Sequence, residues 1–322
     1  MSEKLIIFNK FNADLQKLWI NFENQKENPF LNYDVNKIWH DTLGHDYELN
    51  ILTDIKNFIA PIAIKENIAY LCGDKDVFDY HNLIYNHKIN YDQIKVILDH
   101  LFINVKILKI ELNSIVKNSH LHELFINLQN DYDIEFINED VSPGISLPGS
   151  FDEYLSNLSK KNRHEIRRKI RKFENSFEFK VISANSDNVD KLLLEFIRLM
   201  KLNPEKKLFL NKNRENFMSK IINYSILEGK GELNFIEINN YLVSTSFAFK
   251  NNEKLFVYNS GYNSGFDNKY SEYSVGLINH VYNIKNKINI YNYIDFLRGD
   301  EEYKYRIGCE NKNLLTINIK VK

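Results

Sequence analysis

The second half of the chain sets out an order of elements that few folds accommodate. Residues 232–238, 242–250 and 255–262 are rich in β-branched and aromatic side chains, and Asn239-Asn240 and Asn251-Asn252 separate them. Asparagine tolerates the left-handed backbone that tight hairpins require, so the spacing predicts three consecutive antiparallel strands. A strand at 177–183 and helices over 189–202 and 214–227 precede them. A helix over 274–286, a strand over 290–297, a short charged helix and a closing strand at 314–320 follow.

The first half reads as a similar α/β unit. It comprises a strand at 4–8, helices at 13–22 and 35–42, and strands at 47–53, 58–64 and 68–72. Helices follow near 80–85 and over 92–103, then a strand at 106–112, a helix at 120–129 and a strand at 134–137. Ser142-Pro143-Gly144 and Pro148-Gly149 hold two of the five prolines and two of the eleven glycines. This places the division at 141/142, with domains over 1–141 and 142–322. Ser150, with Glu153 three positions on, forms a capping box that starts one helix running to about residue 173.

Composition narrows the function classes. With 322 residues, 43% hydrophobic and 26% charged, the chain can bury two ordinary cores. The 42 basic and 43 acidic residues nearly cancel, so an anionic partner must be met by a local patch. No apolar run reaches the roughly 20 residues of a membrane span. The opening MSEKLIIFNKFNADL lacks a long apolar signal core, which points to the cytoplasm. Cys72 and Cys309 stand far apart, so no metal site and no disulfide framework is implied.

Several separated segments resemble one family in the right order: FDEYLSNLSKKNRHEIRRKIRKFE at 151–174, VSTSFAFKNNEKLFVYNSGYN at 243–263, Gly276 near a helix start and DFLRGDEEYKYR at 295–306. In the first half, ENPFLNYDVNKIW at 27–39 and DYHNLIY at 79–85 add to the likeness. The chain resembles the GNAT N-acetyltransferase superfamily, in its CelD-like branch, which is related to the FemAB-like peptidoglycan aminoacyltransferases. The resemblance implies an α/β fold of two tandem GNAT-like units, a degenerate N-terminal one and a C-terminal one holding the transfer site. It implies transfer of an acyl group from acetyl-CoA or another acyl-CoA, without a metal, to an amine or hydroxyl of a sugar, glycan precursor or small metabolite. The donor arm would lie between strands 255–262 and 290–297, splayed by a bulge.

Acyl transfer from a thioester needs a neutral nucleophile, donors for an oxyanion and help for the departing thiolate. Asp295 lies near the end of a cleft strand. It either takes the acceptor's proton or serves structure, pairing with Arg298 or capping the helix at Asp300. Tyr303 either protonates the thiolate, as a tyrosine there does in many GNAT enzymes, or is a core aromatic. Lys304 either faces the thioester oxygen or is a solvated lysine. Tyr262, Ser274 and Gly276 are the expected donor-binding residues, with Ser274 capping a helix whose positive end would receive the pyrophosphate. SEYSVG, however, offers only Gly276 where the usual family fingerprint is a glutamine or arginine followed by two spaced glycines or alanines.

Between Lys160 and Lys172, eight basic residues are interrupted by one acid, Glu165. Lys160, Arg163, Arg167 and Arg171 share a helical stripe. Arg163, Arg167 and Arg298 are the expected substrate-binding residues, reading phosphates of a nucleotide, nucleotide-sugar, acidic glycan or tRNA; the alternative is a solvated face. The same features admit a FemAB-like enzyme using aminoacyl-tRNA, or an inactive module that binds a glycan or nucleic acid.

Overall fold

The computed structural model describes residues 5–263 and 270–322. They form two units, one of residues up to Val141 together with Lys312–Lys322 and one of Ser142–Asn311. The division falls inside a strand, Tyr132–Ser146, and not in a loop. Pro143 has no N–H to give, yet its carbonyl accepts from Phe296 N at 2.8 Å. A proline and glycine pair can therefore sit in a strand where only acceptors are needed. The C-terminal strand, expected to close the second unit, groups with the first. It runs over Glu310–Val321 and pairs antiparallel with Lys109–Val116, Ile317 facing Leu112 and Ile319 facing Ile110.

In the first unit, Ile6–Phe8, Glu48–Thr53, Phe58–Lys65 and Ile68–Leu71 pair antiparallel in turn, and Ile68–Leu71 pairs parallel with Lys109–Val116. Ile62, Leu71, Ile94, Leu98, Ile110, Ile317 and Ile319 share one core. The helix expected near 80–85 is absent. Tyr80 adopts a left-handed backbone (φ 55°), and Ile84–Tyr85 is a short strand on Phe58 and Ile59. Asn24 explains the difference. Its side chain donates to Leu83 O at 3.0 Å and accepts from Tyr85 N at 2.7 Å, holding that stretch extended from a distant point in the sequence.

The second unit carries the sheet order 144–146 (the end of Tyr132–Ser146), Tyr293–Asp295, Lys254–Tyr262, Tyr241–Lys250, Gly231–Ile238, Phe179–Ser183. The pairing of Lys254–Tyr262 with Tyr293–Asp295 is parallel and the rest are antiparallel. Asn239 and Asn240 both take positive φ (50° and 64°), as the hairpin required. Helix Val275–Lys287 packs on strands Tyr241–Lys250 and Lys254–Tyr262, with Val281 and Ile284 in one core with Leu255, Val257 and Ile294.

Two local features differ from expectation. The 150–173 segment is two helices, Phe151–Asn157 and Lys160–Ser176, because Ser159 breaks the run and caps the second helix, accepting from Asn162 N at 3.2 Å. A short helix, Pro204–Phe209, lies between Val189–Met200 and Lys212–Leu227, with proline in its first turn and Asn203 as its cap. Among the described residues, no helix is long and apolar enough to cross a membrane.

Candidate functional site

The site begins with a miscount between two strands. Phe247 faces Asn259 and Ala248 faces Val257, so Tyr258 is an extra residue, a β-bulge in Lys254–Tyr262. On the other side of that strand, the parallel ladder runs only from Lys254↔Tyr293 to Phe256↔Asp295. It stops two residues before the bulge. From there residues 257–262 continue without that neighbour, and the chain after Asp295 turns away through Leu297 (φ 53°) and Gly299 (φ 122°). A wedge opens between two parallel strands where their ladder ends.

The turn at 296–301 is held by two buried charged groups. Asp295 is 1% exposed, and its Oδ1 accepts from Ser142 Oγ at 3.2 Å and Leu297 N at 2.9 Å. Lys304 is 2% exposed, and its ammonium donates to the carbonyls of Leu297, Arg298 and Gly299 at 3.1, 3.1 and 3.0 Å. Glu301 Oε2 lies 2.9 Å from the same nitrogen. An ammonium has three N–H groups, so that of Lys304 is fully engaged. Arg298 contributes its carbonyl to this knot.

Tyr303 sits beside it. Its ring stacks on His280 with centroids 5.0 Å apart and planes at 9°, and Phe296 meets His280 edge-on at 5.4 Å. The Tyr303 hydroxyl makes no hydrogen bond among the described residues. Burial first, then the negative charge of Glu301, push its pKa well above the ordinary tyrosine value. His280 is 3% exposed and, among the described residues, its Nδ1 has no hydrogen-bond partner. Burial, reinforced by the cations Lys206 and Lys304, pushes its pKa down to about 3, so it is a neutral aromatic wall at ordinary pH.

Lys206, from the short helix Pro204–Phe209, completes the group. Its Nζ donates to the carbonyl of Ser260 at 2.5 Å, on the part of the strand beyond the bulge. Burial and nearby Lys304 lower its pKa to about 8 against the opposing pull of Glu301.

At the start of helix Val275–Lys287 the geometry departs from expectation. Ser274 takes a left-handed conformation (φ 53°, ψ 48°) and its side chain makes no cap. Its hydroxyl instead receives Lys169 Nζ at 2.5 Å. Lys172 pairs with Glu272 at 2.7 Å and lies 4.6 Å from the Tyr273 ring centre, so the basic helix presses cations onto this turn. Gly276 permits a close approach by the Tyr262 ring, which a Cβ would meet at 2.7 Å.

The structure thus brings Asp295, Arg298, Tyr303 and Lys304 into one loop, Tyr262 onto Gly276, and Ser274 onto the basic helix. Arg163 spends a donor on the Ser156 carbonyl at 3.1 Å. Arg167 is exposed. Among the described residues, neither bonds to the loop around Asp295. Sequence reasoning missed His280 and Lys206. His280 lies four residues after Gly276, hence on the same helix face, which was a usable signal. Lys206 had none, because the helix that carries it was not recognised.

Comparison with known proteins adds a domain match and several likenesses of fold. Residues 160–305 match the model of the acetyltransferase (GNAT) domain. No curated protein matches the chain. Among solved structures, a conserved protein of unknown function from Bacteroides thetaiotaomicron VPI-5482 is similar over 99% of this chain and 100% of its own, with 14% identity and a TM-score of 0.64. FemX is similar over 96% of each chain, with 10% identity and a TM-score of 0.58. A tandem GNAT protein from the clavulanic acid biosynthesis pathway is similar over 99% of this chain and 98% of its own, with 7% identity and a TM-score of 0.53. At such identities the likeness is one of fold.

Proposed function

We propose that the chain is an acyltransferase of the GNAT superfamily, whose domain model its residues 160–305 match and whose fold it shares with FemX and a tandem GNAT protein, and that its second unit moves an acyl group from acyl-CoA, with acetyl-CoA the simplest donor, to an amine or hydroxyl of a sugar, glycan precursor or other small metabolite, in the manner of the CelD-like branch. The observation that carries this reading is the wedge. Beyond the three-residue ladder and the Tyr258 bulge, residues 259–262 keep their antiparallel partner on one side and have lost their parallel one on the other, the side on which an extended pantetheine amide arm can lie as a strand would.

Within that reading, roles divide by what each side chain still has to offer. Tyr303, whose hydroxyl makes no hydrogen bond among the described residues and whose pKa is raised, stays protonated and can pass its proton to the departing thiolate. Asp295 and Lys304 hold the turn that presents Tyr303, since their polar atoms are committed to Ser142, Leu297, Arg298 and Gly299. Tyr262 shapes the donor channel against Gly276. Lys169 and Lys172, beside the start of helix Val275–Lys287, give the donor's phosphates a cationic neighbourhood. Arg298 stays a substrate-binding residue in this reading. Isothermal titration with acetyl-CoA tests the donor. Saturable binding that weakens in Gly276→Val supports it, and no heat at millimolar donor overturns it.

A second reading, aminoacyl transfer from tRNA, draws on the likeness to FemX over both units and on the exposed arginines Arg167 and Arg171 of the basic helix, with Arg163 beside them. Binding of aminoacyl-tRNA with a steep loss of affinity between low and moderate salt, in a chain that ignores acetyl-CoA, would select it.

A further inference from the structure

Two ammonium groups influence His280 and each other, and they differ in what they have left to give. Lys304 has spent every N–H on Leu297, Arg298 and Gly299, with Glu301 alongside. Lys206 has one acceptor, the carbonyl of Ser260. Among the described residues its two other N–H groups have no partner. Ser260 lies on the wall of the wedge, past the bulge, where the strand has left its parallel neighbour. The fold therefore anchors a partly buried cation by a single bond to the wall and leaves two donors open. A purely structural lysine is the opposite case, and Lys304 is its example.

We propose that Lys206 is a catalytic residue of this site: its ammonium, pinned to the Ser260 carbonyl, donates to the acyl oxygen as that oxygen becomes negative. The inference rests on the second unit using an acyl thioester. The lone pair of a neutral acceptor amine forms the new bond to the thioester carbon. The carbonyl π pair moves onto oxygen, which accepts from Lys206. The amine loses a proton to water, the electron pair on oxygen returns, and the carbon–sulfur bond breaks. The thiolate takes the Tyr303 proton, which solvent replaces. The products are the amide and free thiol. A preorganised, partly desolvated donor of full charge is worth far more at that oxygen than in water, because it need not reorient as charge appears.

Isotope-edited infrared difference spectroscopy of [1-¹³C]acetyl-CoA on the full chain reads this contact without knowledge of the acceptor. The carbonyl band of the bound donor is expected below its free position. It should return towards the free position in Lys206→Met and Lys206→Gln and stay low in Lys206→Arg, with acetyl-CoA still bound by calorimetry. In the wild-type chain the same return is expected as pH rises through about 8, where Lys206, set by Glu301, Lys304 and neutral His280 around it, loses its charge. That titration serves even where a variant fails to fold. A band at one position in wild type and Lys206→Met, or one unmoved between pH 6 and 10, overturns the proposal. Failure of the wild-type chain to bind acetyl-CoA overturns the donor reading itself, and this role with it.

Discussion

Replacing Lys304 with methionine separates a residue that holds the site from one that performs chemistry. The side chain is 2% exposed and satisfies three carbonyls in a turn that includes left-handed Leu297 and Gly299. Hydrogen bonds to charged groups contribute about 1.5–3 kcal/mol each. Three bonds to one nitrogen are not additive, and the pair with Glu301, whose carboxylate is 56% exposed, adds roughly 0–1 kcal/mol. An acceptor left buried and unpaired costs about 1–3 kcal/mol, so three that share one nitrogen, counted well short of additively, put the loss at about 3–5 kcal/mol. At roughly 2–4 °C per kcal/mol for a unit of this size, the thermal midpoint should fall by about 6–20 °C. Differential scanning calorimetry of wild type, Lys304→Met and Lys206→Met gives the comparison. Lys206, with a single bond to give up, should lower the midpoint by a few degrees at most. A Lys304→Met chain that melts within about 2 °C of wild type while losing turnover would refute the argument and return Lys304 to the chemistry.

Tyr303→Phe removes a hydroxyl that makes no hydrogen bond among the described residues, so turnover should fall by about 10²-fold or more with acetyl-CoA affinity unchanged; steady-state kinetics beside calorimetry reads both. Gly261→Ala puts a Cβ 2.6 Å from Met200 N and 2.7 Å from Leu199 C, backbone that cannot step aside, and denaturant melts should show a loss of about 1–3 kcal/mol. Folding lowers the pKa of His280 from the usual 6.5 to about 3, so between these values the unfolded chain binds more protons and stability drains away as pH falls through that window. In His280→Phe the slope of melting temperature against pH should flatten there. Charge reversal at exposed Arg167 and Arg171 should leave the melt unchanged and, if the helix face holds an anionic partner, reduce the salt dependence of that binding; an unchanged salt slope marks a solvated face.

Much of the second unit was legible because its signals are local. Asparagine pairs mark the turns, β-branched runs mark the strands, and helix Val275–Lys287 has its own periodicity. What stayed hidden depends on distant partners. Nothing within residues 80–85 says that Asn24 will hold them extended. The break at Ser159 competes with a helical pattern that runs through it, and the capping bonds decide the contest only in three dimensions. At the site, residue types near the end of a strand were readable as a group, but their division of labour was not. Asp295 and Lys304 differ from Lys206 by how many bonds each already makes, a quantity that no sequence spacing encodes. The bulge at Tyr258 is equally silent, since it exists only as a mismatch between two strands.

The return of the C-terminal strand to the first unit has a consequence for biosynthesis. Ile317 and Ile319 belong to the same core as Ile110 and Leu112, yet the whole of residues 142–311 is translated between them. At about 5–20 residues per second, strand Lys109–Val116 waits roughly ten to forty seconds on the ribosome for its partner. During that interval it is an open edge, able to pair with any extended chain nearby. Losing the last dozen residues would therefore injure the part of the molecule made first and leave the wedge, made later, with its own strands complete.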